Sequence, residues 1–317
     1  MKTRISTSLA RFAIAVLTNL AWIAVVAAVD ADSPQTVRLL TVGNSFSRNA
    51  TWYLPDLVKA GGHKLIHRPI VVGGASLQLH AEKFQRNELD ITDKGGLYTN
   101  SRSLKQELAA DRWDFVTIQQ ASFKSHDIAT YRPYAEQLRA FIAKHAPQAK
   151  LLVHQTWAYR CDDPRFGATT PKPGEPATRE DMYRMLTNAY RTIAAELGAR
   201  VIPVGDAFEM ADTDEKWCYR PDTRFDFKNV RSPALPNQTH SLHTGWQWKK
   251  GKDGKLKFGM DGHHANIAGQ YLGACVFYEV LFGESVVANR FVPKGLDPAY
   301  ARFLRETAHK AVANLKH

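Results

Sequence analysis

Five short apolar runs that alternate with amphipathic stretches constrain the fold of this chain more than any other feature. They are "VRLLTV" (37–42), "RPIVV" (68–72), "DFVTIQ" (114–119), "AKLLVHQTW" (149–157) and "RVIPVG" (200–205). Each is bounded by turn residues, as strands buried on both faces are. Between them lie helical patterns. "YRPYAEQLRAFIAKHA" puts Tyr134, Leu138, Phe141 and Ile142 on one face, and "TREDMYRMLTNAYRTIAAELG" opens on a Thr-x-x-Asp cap and ends at Gly198. The alternation predicts one α/β domain over residues 37–317, a three-layer α/β/α sandwich around a mostly parallel five-stranded sheet. Ligands of such sheets bind outside the carboxyl ends of the strands.

One segment interrupts the alternation. Residues 217–258 are rich in Pro, aromatic and basic residues, and "GWQWKKGKDGKLKFG" reads as a hairpin turning at Asp253-Gly254. It is taken as an insertion near the site, where Trp217, Tyr219, Trp246 and Trp248 could stack on sugar faces or pack the insertion onto the domain. A last amphipathic helix starts behind Asp297-Pro298 and is expected to pack on the outside.

At the other end, Lys2, Arg4 and Arg11 precede an apolar run from Phe12 to Val29 that finishes in small residues. Residues 1–28 read as a secretory signal peptide cleaved after Ala28, or alternatively after Ala31. The run is short for a spanning helix, so a secreted or periplasmic protein with no membrane span after cleavage is preferred to an anchored one. Cleavage would remove three positive charges and lower the formal net charge from +11 to +8. The basic residues are scattered and form no nucleic-acid motif, so a nucleic-acid partner is not expected. Three cysteines exclude a disulfide framework but allow one bridge, between Cys161 and Cys218, with Cys275 a buried thiol.

The first strand ends in Gly43-Asn44-Ser45, which by itself is ordinary turn chemistry. A serine there becomes a nucleophile only if a histidine takes its proton and a carboxylate orients that histidine. "GMDGHHANIAGQYL" supplies both in Asp261 and His264, in what reads as a turn before the last core helix, with His263 as the rival base. Helix capping by the same residues is the alternative. His240, His243, His263, His264 and Asp261 could instead hold a metal, but no HExxH or cysteine-pair pattern accompanies them, and that reading leaves Ser45 without a purpose.

The blocks "GNSFS", "GGASL", "IQQAS", "HQTWAY" and "DGHH" occur in an order that resembles the SGNH, or GDSL-type, hydrolases, and is closest to a secreted domain-of-unknown-function branch of them. The resemblance covers residues 37–283. It implies a flavodoxin-like sheet and a cofactor-free serine esterase acting on a small-molecule or polysaccharide ester, most readily an acetyl ester. Ser45 would be the nucleophile, His264 the base and Asp261 its partner. The oxyanion would lie between the N–H groups of Ser45 and Gly74. Asn44 stands where the superfamily has aspartate, and the third block lacks the usual oxyanion asparagine. A glutamine amide is the substitute, Gln119 or Gln120, with Gln119 favoured by strand alternation. Gly73, Asn44, His154 and Trp157 are expected at the substrate pocket, although a buried histidine beside a packed tryptophan would read the same way.

Overall fold

The computed structural model describes residues 33–99, 101–167 and 173–316; the segment read as a signal peptide lies outside them. In chain order the elements are β1 (Thr36–Gly43), α1 (Ser45–Ala50), α2 (Leu54–Ala60), β2 (Lys64–Val71), α3 (Leu77–Leu89), α4 (Leu104–Leu108) and β3 (Phe115–Ile118). They continue with α5 (Tyr134–His145), β4 (Lys150–His154), α6 (Arg179–Leu197), β5 (Arg200–Ile202) and α7 (Val204–Asp212). The hairpin β6 (His243–Lys250) and β7 (Leu256–Ala265) precedes α8 (Ile267–Phe282) and α9 (Pro298–Ala313).

Strands β2-β1-β3-β4-β5 form one parallel sheet in that order, with Val42 level with Ile70 on one side and Ile118 on the other. β1 is an inner strand because its apolar run can be buried on both faces: Leu39, Leu40 and Val42 are all buried. The chain reverses direction across the sheet next to β1, so the strand ends flanking Gly43 open a crevice at the switch point. This is the α/β architecture expected from the alternation.

Helix α8 is apolar all round, as a helix enclosed on every side must be. It lies against α1, α2, α7 and α9. Gly273 permits the closest approach, since a Cβ there would come within 2.9 Å of the Ala50 Cα. The back of α1, whose first residue is Ser45, is therefore braced by a rigid element. Cys275 is buried in α8 as expected; Cys161 and Cys218 remain free thiols, so the allowed bridge is not formed. Among the described residues no helix is long and apolar enough to cross a membrane.

The hairpin turns at Asp253-Gly254 as read, with Gly254 at φ +77°. Its second strand runs further than expected. β7 continues through Asp261 and His264 to Ala265, so these residues sit on a strand and not in a turn. The glycines and the aspartate of "FGMDGHHA" hid this, being poor strand formers. β6 holds the segment by pairing, and Arg160 N–H donates to the Gly262 carbonyl at 2.8 Å. The aromatics of the insertion pack within the hairpin and against neighbouring side chains. Trp246 stacks on Phe258 at 4.9 Å, Trp248 contacts the same ring, Trp217 lies against Tyr300, and Tyr219 is covered by the Arg160 guanidinium.

Candidate active site

Ser45 follows β1 directly and begins α1. The turn needs glycine at 43, because a Cβ there would stand 2.9 Å from both Gln119 Cγ and Ser47 Cβ. Asn44 caps α1, accepting the Phe46 N–H at 2.9 Å, and its amide donates to the Ala75 carbonyl at 2.8 Å. One buried side chain thus ties the serine turn to the glycine block. His80 adds a second tie: its Nε2 donates to the Gly43 carbonyl at 3.1 Å while Nδ1 meets the Tyr98 hydroxyl at 2.9 Å. Burial pushes His80 down to about 4, so the ring stays neutral. His80 went unnoticed in the sequence because its spacing from "GGASL" is that of any buried helix residue.

His264 Nε2 lies 2.8 Å from Ser45 Oγ, and His264 Nδ1 lies 3.1 Å from both oxygens of Asp261. Residues three apart on a regular strand face opposite ways. Here the pairing is irregular: His243 faces Ala265 but Gly245 faces Asp261, so β7 carries extra residues opposite Thr244. The bulge lets the His264 N–H turn back to Asp261 Oδ1 at 3.1 Å and re-aims the ring at the sheet edge. Half-burial opposes charge on Asp261, but hydrogen bonds from the His264 ring and backbone, with His263 nearby, outweigh it and hold the carboxyl well below its usual range.

His263 also approaches Asp261, at 3.2 Å, but not Ser45. Arg165 Nη2 donates to His263 Nδ1 at 3.2 Å, which requires a lone pair on that nitrogen. The carboxylate is thereby left to His264. Burial lowers His263 further, in keeping with a neutral ring. Arg165 is itself fixed by a two-pronged contact with Asp163 and lies 3.8 Å over the Tyr159 ring.

The cleft above Ser45 has a volume of about 350 Å³. Asn44, Gly73 and Gly74 line it as expected, together with Ser122, Tyr159 and Arg165. Gly74 adopts φ +67°, a conformation that favours glycine, and its N–H has no partner among the described residues. The Ser45 N–H, at the first position of α1, is also free of an intrahelical acceptor. Two donors therefore border the space in front of Ser45 Oγ.

Four expected lining residues lie elsewhere. Gln119 turns inward beneath Gly43 and donates to the Gln120 carbonyl at 3.1 Å. Gln120 accepts from the Leu77 and Ala121 N–H groups and donates to the Thr130 carbonyl, so its amide is fully engaged in bracing the loops. The third block reaches the cleft through Ser122 instead, whose Oγ accepts from the Tyr159 hydroxyl at 3.0 Å and keeps its own proton free. Trp157 is buried behind the site, 4.5 Å from Phe46, and donates to the His263 carbonyl at 2.9 Å. His154 lies deeper still, against Phe277, with no hydrogen-bond partner for either ring nitrogen among the described residues. Tyr159 and Arg165 were not singled out from sequence, since a loop after a strand carries no periodic signal.

The wide histidine cluster is not assembled. His240 packs on Trp217 and Tyr300, and the buried His243 meets the Ala158 carbonyl. Among the described residues only Asp261, His263 and His264 gather, with ligand-capable atoms within 4.8 Å of one another.

The sequence pattern of a family described as "Domain of unknown function (DUF4886)" matches residues 38–221, more than half of the chain. The chain belongs to the DUF4886 family. The match contains Ser45, Gly74 and Ser122 and ends before the hairpin that carries Asp261 and His264. A crystallised DUF4886 family protein from Bacteroides uniformis is 25% identical, covering 88% of this chain and 95% of its own at a TM-score of 0.66. A candidate SGNH hydrolase from Slackia heliotrinireducens is 23% identical over 77% of this chain and 98% of its own, at 0.46. A candidate GDSL-like lipase from Parabacteroides merdae is 12% identical over 79% and 97%, at 0.42. Comparison with curated proteins gives no match.

Proposed function

We propose that this DUF4886 protein is a secreted or periplasmic SGNH-type serine esterase that removes an acyl group, most readily acetyl, from a carbohydrate. The observation that carries the reading is the chain of contacts from Ser45 Oγ through His264 to Asp261, 2.8 and 3.1 Å long. Ser45 Oγ attacks the ester carbonyl while His264 Nε2 takes its proton, and Asp261 stabilises the imidazolium that results. The tetrahedral oxyanion is held by the N–H groups of Ser45 and Gly74. The Ser122 hydroxyl acts as the third donor in place of the amide that the superfamily uses there. Collapse breaks the bond to the alkoxy oxygen, which leaves as the alcohol with the proton from His264. Water, deprotonated by the same nitrogen, then attacks the acyl-enzyme and frees Ser45 and the acid.

The small residues Gly73 and Gly74, which line the cleft together with Ser45 and His264, suit a short acyl group. Fluorophosphonate labelling read by mass spectrometry tests the mechanism. Modification is expected at Ser45 and is expected to disappear in His264→Ala. Hydrolysis of p-nitrophenyl acetate that persists in Ser45→Ala and is abolished by a chelator would replace this reading with a metal-dependent one built on Asp261, His263 and His264.

A further inference from the structure

A second, larger pocket of about 490 Å³ lies on the other side of α1, along the edge strand β2. Arg48, Trp52, Arg68 and Tyr98 border it over a floor that includes Ile70 and Val71. It borders the first cleft along the chain at two places. Arg48 stands one helical turn past Ser45, and Val71 ends the strand that leads into Gly73-Gly74.

Three features of this pocket have no internal explanation. Trp52 is 56% exposed and stacks on no other aromatic ring among the described residues. The exposed Arg48 side chain makes no ion pair or hydrogen bond among them. No carboxylate is among the described lining residues, and Arg68, although it pairs with the buried Glu107 at 3.5 Å, keeps about half of its side chain exposed. An uncovered indole favours a flat partner with C–H groups, and guanidinium forks fit planar or tetrahedral oxyanions. The net basic charge adds long-range attraction for a polyanion.

We propose that this pocket binds an acidic sugar unit, bearing a carboxylate or a sulfate, next to the esterified unit of the glycan. The sugar ring lies on Trp52 and its anionic group on Arg48 and Arg68. The assignment of this unit to a substrate rests on the esterase reading; the binding itself does not.

The test uses the Ser45→Ala protein, so that nothing is turned over, and isothermal titration with three oligosaccharides of equal length: an oligogalacturonide, a sulfated galactan and a neutral galactan. One of the two acidic classes is expected to bind at least about tenfold more tightly than the neutral one, with the difference fading as salt is raised. Arg48→Gln in the same background is expected to remove most of that difference, and Trp52→Ala to weaken acidic binding about tenfold. Equal affinity for acidic and neutral oligosaccharides, or acidic binding unaltered in both variants, overturns the proposal. Fluorophosphonate labelling of the native protein separates the two readings: an unlabelled Ser45 with Arg48-dependent binding removes the esterase and leaves the pocket standing.

Discussion

His264 Nε2 and Ser45 Oγ meet at 2.8 Å although 219 positions separate them in sequence. The contact joins the end of β1 to a hairpin that the parallel sheet does not contain. If it transfers a proton, Ser45→Ala and His264→Ala each lower kcat/KM for p-nitrophenyl acetate by at least roughly 10⁴-fold, and the double variant loses little more, because the two act as a unit. Asp261→Asn is expected to cost roughly 10²- to 10⁴-fold by releasing the tautomer. Steady-state kinetics of the four variants check this, and additive losses would contradict it.

The oxyanion role proposed for Ser122 gives a more selective prediction. Ser122→Ala removes one hydroxyl and is expected to lower kcat about 10²-fold with little change in KM, since the group acts on charge that develops only in the transition state. Gln119→Leu serves as the contrast. Its amide bonds only inside the fold, so a loss in melting temperature is expected there rather than a specific loss in kcat.

Much of this was legible in sequence, for definite reasons. Strands such as "VRLLTV" are continuous apolar runs, and burial on both faces demands them. Ser45, Asp261 and His264 stood out through residue type and order. What failed was direction. Strand alternation said that one of Gln119 and Gln120 faces the cleft, but β3 stops at Ile118, and beyond it the loop turns both amides inward. The same logic extended "HQTW" as a strand, whereas β4 ends at His154 and Trp157 lies beneath the site. The bulge in β7 carries no sequence signature of its own, so Asp261 and His264 read as a turn. Arg165 and Tyr159 reach the cleft from a loop whose course depends on Asp163.

Asn44 stands where the SGNH hydrolases that the sequence resembles have aspartate, and the difference has a measurable consequence. Its amide donates to the Ala75 carbonyl, so an aspartate at this position would place two acceptors against each other. Asn44→Asp is therefore expected to destabilise the fold by about 1–3 kcal/mol and to loosen Gly74. Urea denaturation and activity should fall together; an unchanged midpoint would show that the tie is dispensable.

Three wholly buried histidines set the acid limb of stability. Burial pushes His80 down to about 4 and His154 and His243 down to about 3, from a usual value of 6.5. Below pH 6.5 the unfolded chain takes up protons at these positions and the folded chain does not, so stability falls as the pH drops through that window. Melting temperature should decline already between pH 6.5 and 5, before most carboxylates titrate. His154 has no partner for either nitrogen among the described residues, so His154→Leu is expected to flatten this limb and to raise stability near pH 5 by about 1 kcal/mol.

Arg160 decides whether the hairpin delivers its histidine. It is buried, forms a two-pronged pair with Asp162, donates to Gln238 and Ser241, and presents its backbone N–H to Gly262, one residue past Asp261. Gly245 is glycine because a Cβ would stand 2.1 Å from that guanidinium, in a residue already at φ +70°. Arg160→Lys keeps the charge but cannot reproduce the fork, and is expected to cost about 3 kcal/mol of stability. Its effect on catalysis should exceed what the folded fraction explains, because the bulge that aims His264 loses its brace. Activity per folded molecule and the rate of fluorophosphonate labelling at Ser45 should both fall. Arg160→Lys protein that is folded and labelled at the native rate would mean that β7 holds its bulge without this residue.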